Sequence, residues 1–98
     1  MYSMDDLLHL IHSDGADKLC LHVGEPPTVV VDNERHLIEG PAITPGDAEQ
    51  LFMSIANTRQ RRELRESGVV SFMYRFRNCA EFVVQAKLEQ GAVGIDIH

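Results

Sequence analysis

The sequence predicts an α+β fold: an antiparallel sheet of about six strands with helices on one face, in the order α-β-β-β-α-α-β-β-β. Three observations predict it. The last third alternates apolar and polar residues through three runs, parted at Asn78-Cys79 and Gln90-Gly91. Two earlier segments repeat apolar residues at i, i+3, i+4, i+7, the spacing of one buried helical stripe. Between them lie three short strand-like runs, broken by Gly24-Glu25-Pro26-Pro27 and by Asp32-Asn33. Striped helices and one-faced strands bury their apolar sides together only by layering, helix on sheet. The 98 residues suffice for one domain, expected to span 1–98.

The first helix is expected over residues 3–14. Ser3 can cap it, Asp6 sits in the capping-box position, and Met4, Leu7, Leu8 and Ile11 form its stripe. Gly15 suits its C-terminal end. From Lys18 to Val23, Leu19, Leu21 and Val23 point one way and Lys18, Cys20 and His22 the other, a half-buried strand. Pro26 and Pro27 lack N–H donors and end that strand's pairing. Thr28 to Asp32 is a second strand with Val29 and Val31 on its buried side. Asp32-Asn33 has hairpin-turn chemistry, and a short third strand covers Arg35 to Ile38.

A loop follows from Gly40 to Gly46. Thr44 is a helix N-cap, Pro45 fits the first helical position and Asp47 the first turn; Ala48, Leu51, Phe52 and Ile55 make the stripe. Thr58 is expected to cap a third helix, running to about Glu66 and ended by Ser67-Gly68. Leu64 is nearly its only apolar residue, so it belongs on the surface. In the three closing strands Val70, Phe72, Tyr74 and Phe76, then Phe82, Val84, Ala86 and Leu88, then Val93, Ile95 and Ile97 face one side.

Composition narrows the function. Formal charge is −6 at pH 7, unlike the basic surface of a general nucleic-acid binder. No apolar run approaches the roughly 18 residues that span a bilayer. The first residues carry acids where a signal peptide carries bases, so a cytoplasmic protein with reduced Cys20 and Cys79 is expected. No G-x-x-x-x-G-K motif or G-x-S-x-G elbow occurs, so neither phosphate-loop hydrolysis nor a serine elbow is available in this chain. Cys20 and His22 share a strand face, yet a zinc site needs about four ligands and no other spacing supplies them. No catalytic, cofactor-binding or metal residue is therefore expected. The basic cluster Arg59, Arg61, Arg62 and Arg65, with Arg75 and Arg77, is the candidate interaction set, set against the plain reading of a solvated face.

The run from Gly15 through Asp17-Lys18-Leu19-Cys20-Leu21-His22 to Gly24-Glu25-Pro26-Pro27 resembles the start of the PilT-type twitching-motility ATPases and their type II secretion relatives. Those begin G-A-S-D-L-H-L-x-x-G-x-P-P. The resemblance extends through Thr44-Pro45-Gly46-Asp47, Asn57-Thr58-Arg59-Gln60-Arg61, Ser71-Phe72, Ala80-Glu81-Phe82-Val83 and Gln90-Gly91, in order and over nearly the whole chain. It implies a PAS-like, two-layer amino-terminal domain that is not itself an enzyme. Such a domain docks on a RecA-like ATPase domain, in cis or on a neighbouring subunit of a ring. ATP would then be met only through that adjoining domain, and a linker to it would follow this chain. Departures matter as well. Val30 stands where the family has an arginine, Asn33 where it has a glycine, and Glu81 and Val83 replace both arginines of its R-F-R motif. A carboxylate at Glu81 would repel a nucleotide phosphate. The packing framework is kept while the nucleotide-facing charges are lost. The alternative is a stand-alone PAS-like protein that binds a protein partner or senses a small ligand.

Overall fold

The computed structural model describes residues 2–78 and 80–98. The elements are α1 (Met4–Asp14), β1 (Lys18–Leu21), β2 (Thr28–Val31), β3 (Glu34–Leu37), α2 (Pro45–Ile55), α3 (Thr58–Ser67), β4 (Val69–Phe76), β5 (Ala80–Glu89) and β6 (Ala92–Ile97). The expected order is the observed order.

All six strands form one antiparallel sheet, ordered β3-β2-β1-β6-β5-β4. Each half is a local meander, and one seam joins them: β1 pairs with β6, with Leu19 opposite Ile97 and Leu21 opposite Ile95. These four side chains are fully buried, and the stripes of α1 and α2 with Leu64 of α3 close over their face. The opposite face carries no helix.

Local chemistry explains the turns. Asp32 and Asn33 both have positive φ, and Val31 pairs directly with Glu34, so a two-residue turn joins β2 to β3. Gln90 and Gly91 do the same between Glu89 and Ala92. Two positive φ values give a twist that matches the strands. Gly15 and Gly68 end α1 and α3 in the left-handed region. The turn expected at Cys79 lies outside the described residues.

Helix α1 is capped by Ser3 as expected. Four expectations need correction. In α1 the Ser3 hydroxyl accepts from the Asp6 N–H, but no return bond from Asp6 completes a capping box. The third helix is capped by Asn57, not Thr58: the Asn57 side chain accepts from the Gln60 N–H at 2.8 Å, and the Gln60 side chain from the Asn57 N–H at 2.9 Å. Val23 does not continue β1. It makes a parallel bridge to Ile43, and Gly24 N–H donates to the Ile43 carbonyl at 2.9 Å. Val29 and Val31 are only half-buried, whereas Thr28 is fully buried and donates its hydroxyl to the Pro26 carbonyl. Helices α2 and α3 pack on β6, β5 and β4, which leaves the β2–β3 end of the sheet less covered.

The Asn57 cap carries a prediction. Asn57→Ala removes the side-chain acceptor of the Gln60 backbone N–H, while the Gln60 side chain keeps its bond from the backbone N–H of residue 57, so stability should fall by about 1 kcal/mol. Thr58→Ala should cost clearly less. Denaturant midpoints of the two variants check the order; equal losses would return the cap to Thr58.

Candidate docking surface

Helix α3 places its arginines by its own periodicity. Leu64 is the one buried side chain of the helix and fixes its inward face. Arg59, Arg62 and Arg65 are exposed, and among the described residues none lies in an ion pair. Arg61 is different. Its Nε donates to the Ala56 carbonyl at 3.1 Å and an Nη to the Met53 carbonyl at 2.8 Å, so it ties α3 to the C-terminal end of α2. That satisfies carbonyls α2 cannot bond internally.

Beside this tie runs an open cleft of about 390 Å³, with Phe52, Met53, Leu64, Leu88 and Val93 in its wall and Arg65 on its rim. Met53 is 43% exposed there. Arg59 lies in the first turn of α3, where the helix dipole disfavours a cation, and no acid shares that turn. The fold gains nothing from this charge where it sits.

Arg75 and Arg77 lie at the far end of β4 from α3. Arg75 pairs with Glu81 at 2.9 Å. Arg77 pairs with Asp5 of α1 and stacks over the Phe76 ring at 5.2 Å. The six expected interaction residues thus fall into two separate groups. Three α3 arginines are unpaired, while Arg61, Arg75 and Arg77 are engaged within the fold. Glu81, where the resembling family has an arginine, neutralises Arg75.

The helix-free face holds a second polar group. Cys20 and His22 of the β1 segment do share that face, as the alternation predicts, and there they meet Asp96 of β6. His22 Nε2 lies 3.0 Å from Asp96 Oδ1, and Nδ1 lies 3.5 Å from Glu89 Oε1. The cluster is permitted by Gly94: a Cβ there would stand 2.6 Å from the Glu89 carboxylate and 3.0 Å from the His22 ring. Burial, then the neighbouring Asp96 charge and hydrogen bond, push the Cys20 thiol above its ordinary value. The carboxylate stands between thiol and imidazole. Burial and this carboxylate both disfavour the thiolate, the opposite of what a nucleophile requires. Among the described residues no group of three or more His, Cys, Asp or Glu is placed to hold a metal ion. Sequence spacing could not find Asp96 and Glu89 as partners, because β6 reaches β1 only through the sheet order.

Burial alone would raise the Asp96 carboxyl, but the His22 hydrogen bond and charge, with smaller help from Lys18 and Cys20, hold it below its ordinary value. A depressed carboxyl stabilises the fold above its unfolded value, near pH 4, and loses that contribution as pH falls through the lower folded value. Wild type should therefore exceed Asp96→Asn in melting temperature at neutral pH, and the gap should close in acid. Melting curves that stay parallel from neutral pH into acid would refute this.

The architecture is a two-layer α+β domain, three helices over one face of a six-stranded antiparallel sheet. No protein-family model and no curated protein matches the chain. Among solved structures, the pilus retraction motor PilT with bound ADP matches all of this chain at a TM-score of 0.90 and 24% identity, over 29% of its own chain. The Legionella pneumophila ATPase DotB matches 97% of this chain at 0.80 and 24% identity, over 27% of its own. The Yersinia pseudotuberculosis ATPase DotB matches 99% at 0.68 and 11% identity, over 31% of its own. At these identities the likeness establishes the fold, which is the fold expected from the resemblance. The chain spans less than a third of each of these three structures. No helix among the described residues is long and apolar enough to cross a membrane.

Proposed function

We propose that this chain is a non-catalytic docking domain of a motor ATPase of the pilus-retraction or secretion kind, acting in the cytoplasm. The carrying observation is the superposition of the whole chain on part of the pilus retraction motor at a TM-score of 0.90. In this reading a RecA-like ATPase domain, in cis or on a neighbouring subunit, binds and hydrolyses ATP. The present domain supplies a rigid surface for it and for ring assembly. The unpaired Arg59, Arg62 and Arg65 on the exposed side of α3, with Arg65 at the apolar cleft, are the contact residues, because their charge has no partner inside the fold.

The replaced arginines set this domain apart in one respect. Glu81 pairs with Arg75, and Val83 offers no charge, so no cation of the R-F-R kind is presented from β5. Nucleotide contact then falls to the ATPase domain alone. The test reads the coding sequence past His98. A G-x-x-x-x-G-K-[ST] motif within roughly 30 to 50 residues supports docking in cis. A stop codon there would sink the reading of this chain as a domain of such an ATPase and leave the stand-alone alternative. Purified ATPase domain that fails to bind this chain in either arrangement overturns the reading.

A further inference from the structure

The two edges of the sheet are unlike. Strand β3 has four residues, and its charged Glu34 and Arg35, with polar His36, guard it in the usual way. Strand β4 has eight residues and one charge, Arg75, which Glu81 neutralises. Its exposed side chains include Val69 and Met73, at 51% and 58%.

Hydrogen-bond parity shows which backbone groups of β4 are free. The Leu88 N–H donates to the Gly68 carbonyl, so this is a hydrogen-bonded pair; with the antiparallel register, the even-numbered residues of β4 bond toward β5. Val83 and His98 exchange both bonds, so the odd-numbered residues of β5 bond toward β6, which agrees. Val69, Ser71, Met73 and Arg75 therefore turn their N–H and C=O groups away from the sheet. No hydrogen bond to those groups is made elsewhere among the described residues.

We infer that β4 pairs with β4 of a second copy of this chain, antiparallel, about a two-fold axis at Phe72. The edge is self-complementary in that register. Val69 faces Arg75 of the other copy and Ser71 faces Met73, so all four outward residues take part, giving roughly eight bonds between the copies. No like charges are opposed within the strands. The two half-buried Phe72 rings meet on the helix-covered face, where Val70 faces Tyr74 of the other copy. Of the α3 arginines, Arg61 and Arg65 lie on the cleft side of Leu64, and Gln60, Glu63 and Ser67 lie on the flank toward the edge, with Arg59 one turn before Glu63 on the outer side of that flank. Two-fold, isologous interfaces are the commonest among soluble oligomers. The inference is independent of the docking role proposed above.

Sedimentation equilibrium of the 98-residue chain, over a wide concentration range, tests it. Wild type is expected to dimerise. The double variant Ser71→Lys, Met73→Lys opposes lysine to lysine at two exposed sites and should weaken the dimer at least about tenfold. Ser71→Lys with Met73→Glu opposes unlike charges and should restore it. Circular dichroism monitors the fold of both. Should either variant misfold, hydrogen exchange of wild type decides: amides of Val69, Ser71, Met73 and Arg75 should gain protection as concentration rises. A wild type that stays monomeric, a dimer indifferent to both variants, or edge amides with no concentration dependence overturns the inference. A monomer that protects these amides only with an added foreign strand also overturns it.

Discussion

Ile95→Ala should lower stability by about 2–5 kcal/mol, the range for truncating a buried isoleucine. Ile95 is fully buried and sits on β6 directly between Leu21 of β1 and Ala86 of β5. The lost methyl groups leave a void at the seam, where helix, both meanders and the sheet centre meet and collapse is least able to fill it. A domain of this size holds only about 5–15 kcal/mol in all, so the variant should melt at least about 10 °C lower or not fold. Ile95→Val should cost only about 0.5–1.5 kcal/mol. Glu66→Ala, at an exposed position of α3, should fall within about 0.5 kcal/mol of wild type. A melting temperature for Ile95→Ala equal to that of Glu66→Ala would remove the seam from its central place in the fold.

Reversing the α3 charges should have the largest effect on docking. Each exposed ion pair contributes about 0.2–1 kcal/mol, and each reversal adds repulsion of similar size. Arg59→Glu, Arg62→Glu and Arg65→Glu together should weaken binding to the ATPase domain by about 10–100-fold. The loss should shrink as salt is raised, since exposed charges are screened. Folding should survive, because none of the three is paired in the fold and Arg59→Glu puts an acid at a helix N-terminus. Arg61 is left in place because it ties α2 to α3. Titration calorimetry reads the effect; a dissociation constant within twofold of wild type would move the interface off α3.

Local patterns carried most of the fold. The stripe of Ala48, Leu51, Phe52 and Ile55 is buried as its spacing predicts, and Asp32-Asn33 and Gln90-Gly91 are the turns their chemistry predicts. Cap competition was harder to read. Asn57 and Thr58 are both good caps side by side, and only the reciprocal bond with Gln60 decides between them. Ile43 is 1% exposed within a loop, where no periodicity could mark it as core. Its burial follows from the bridge to Val23, a contact between segments. The candidate site was legible as residues but not as an arrangement. The α3 arginines stood out by density, yet the separation of bound Arg61 from free Arg62 and Arg65 depends on where α2 ends. The meeting of His22 with Asp96 depends on strand order, which no single strand encodes.

That strand order also bears on how the chain reaches its native state. The β2–β3 and β5–β6 turns need two residues each, so either half can form early from neighbours in sequence. The seam brings Leu19 to Ile97 across nearly the whole chain, and closing a loop of that size costs about 4 kcal/mol of chain entropy before any contact repays it. Until then Leu19, Leu21, Ile95 and Ile97 are bare on two half-built sheets. The joining of halves is the expected slow step of folding, and crowding of partly folded chains is expected to be most dangerous during that interval.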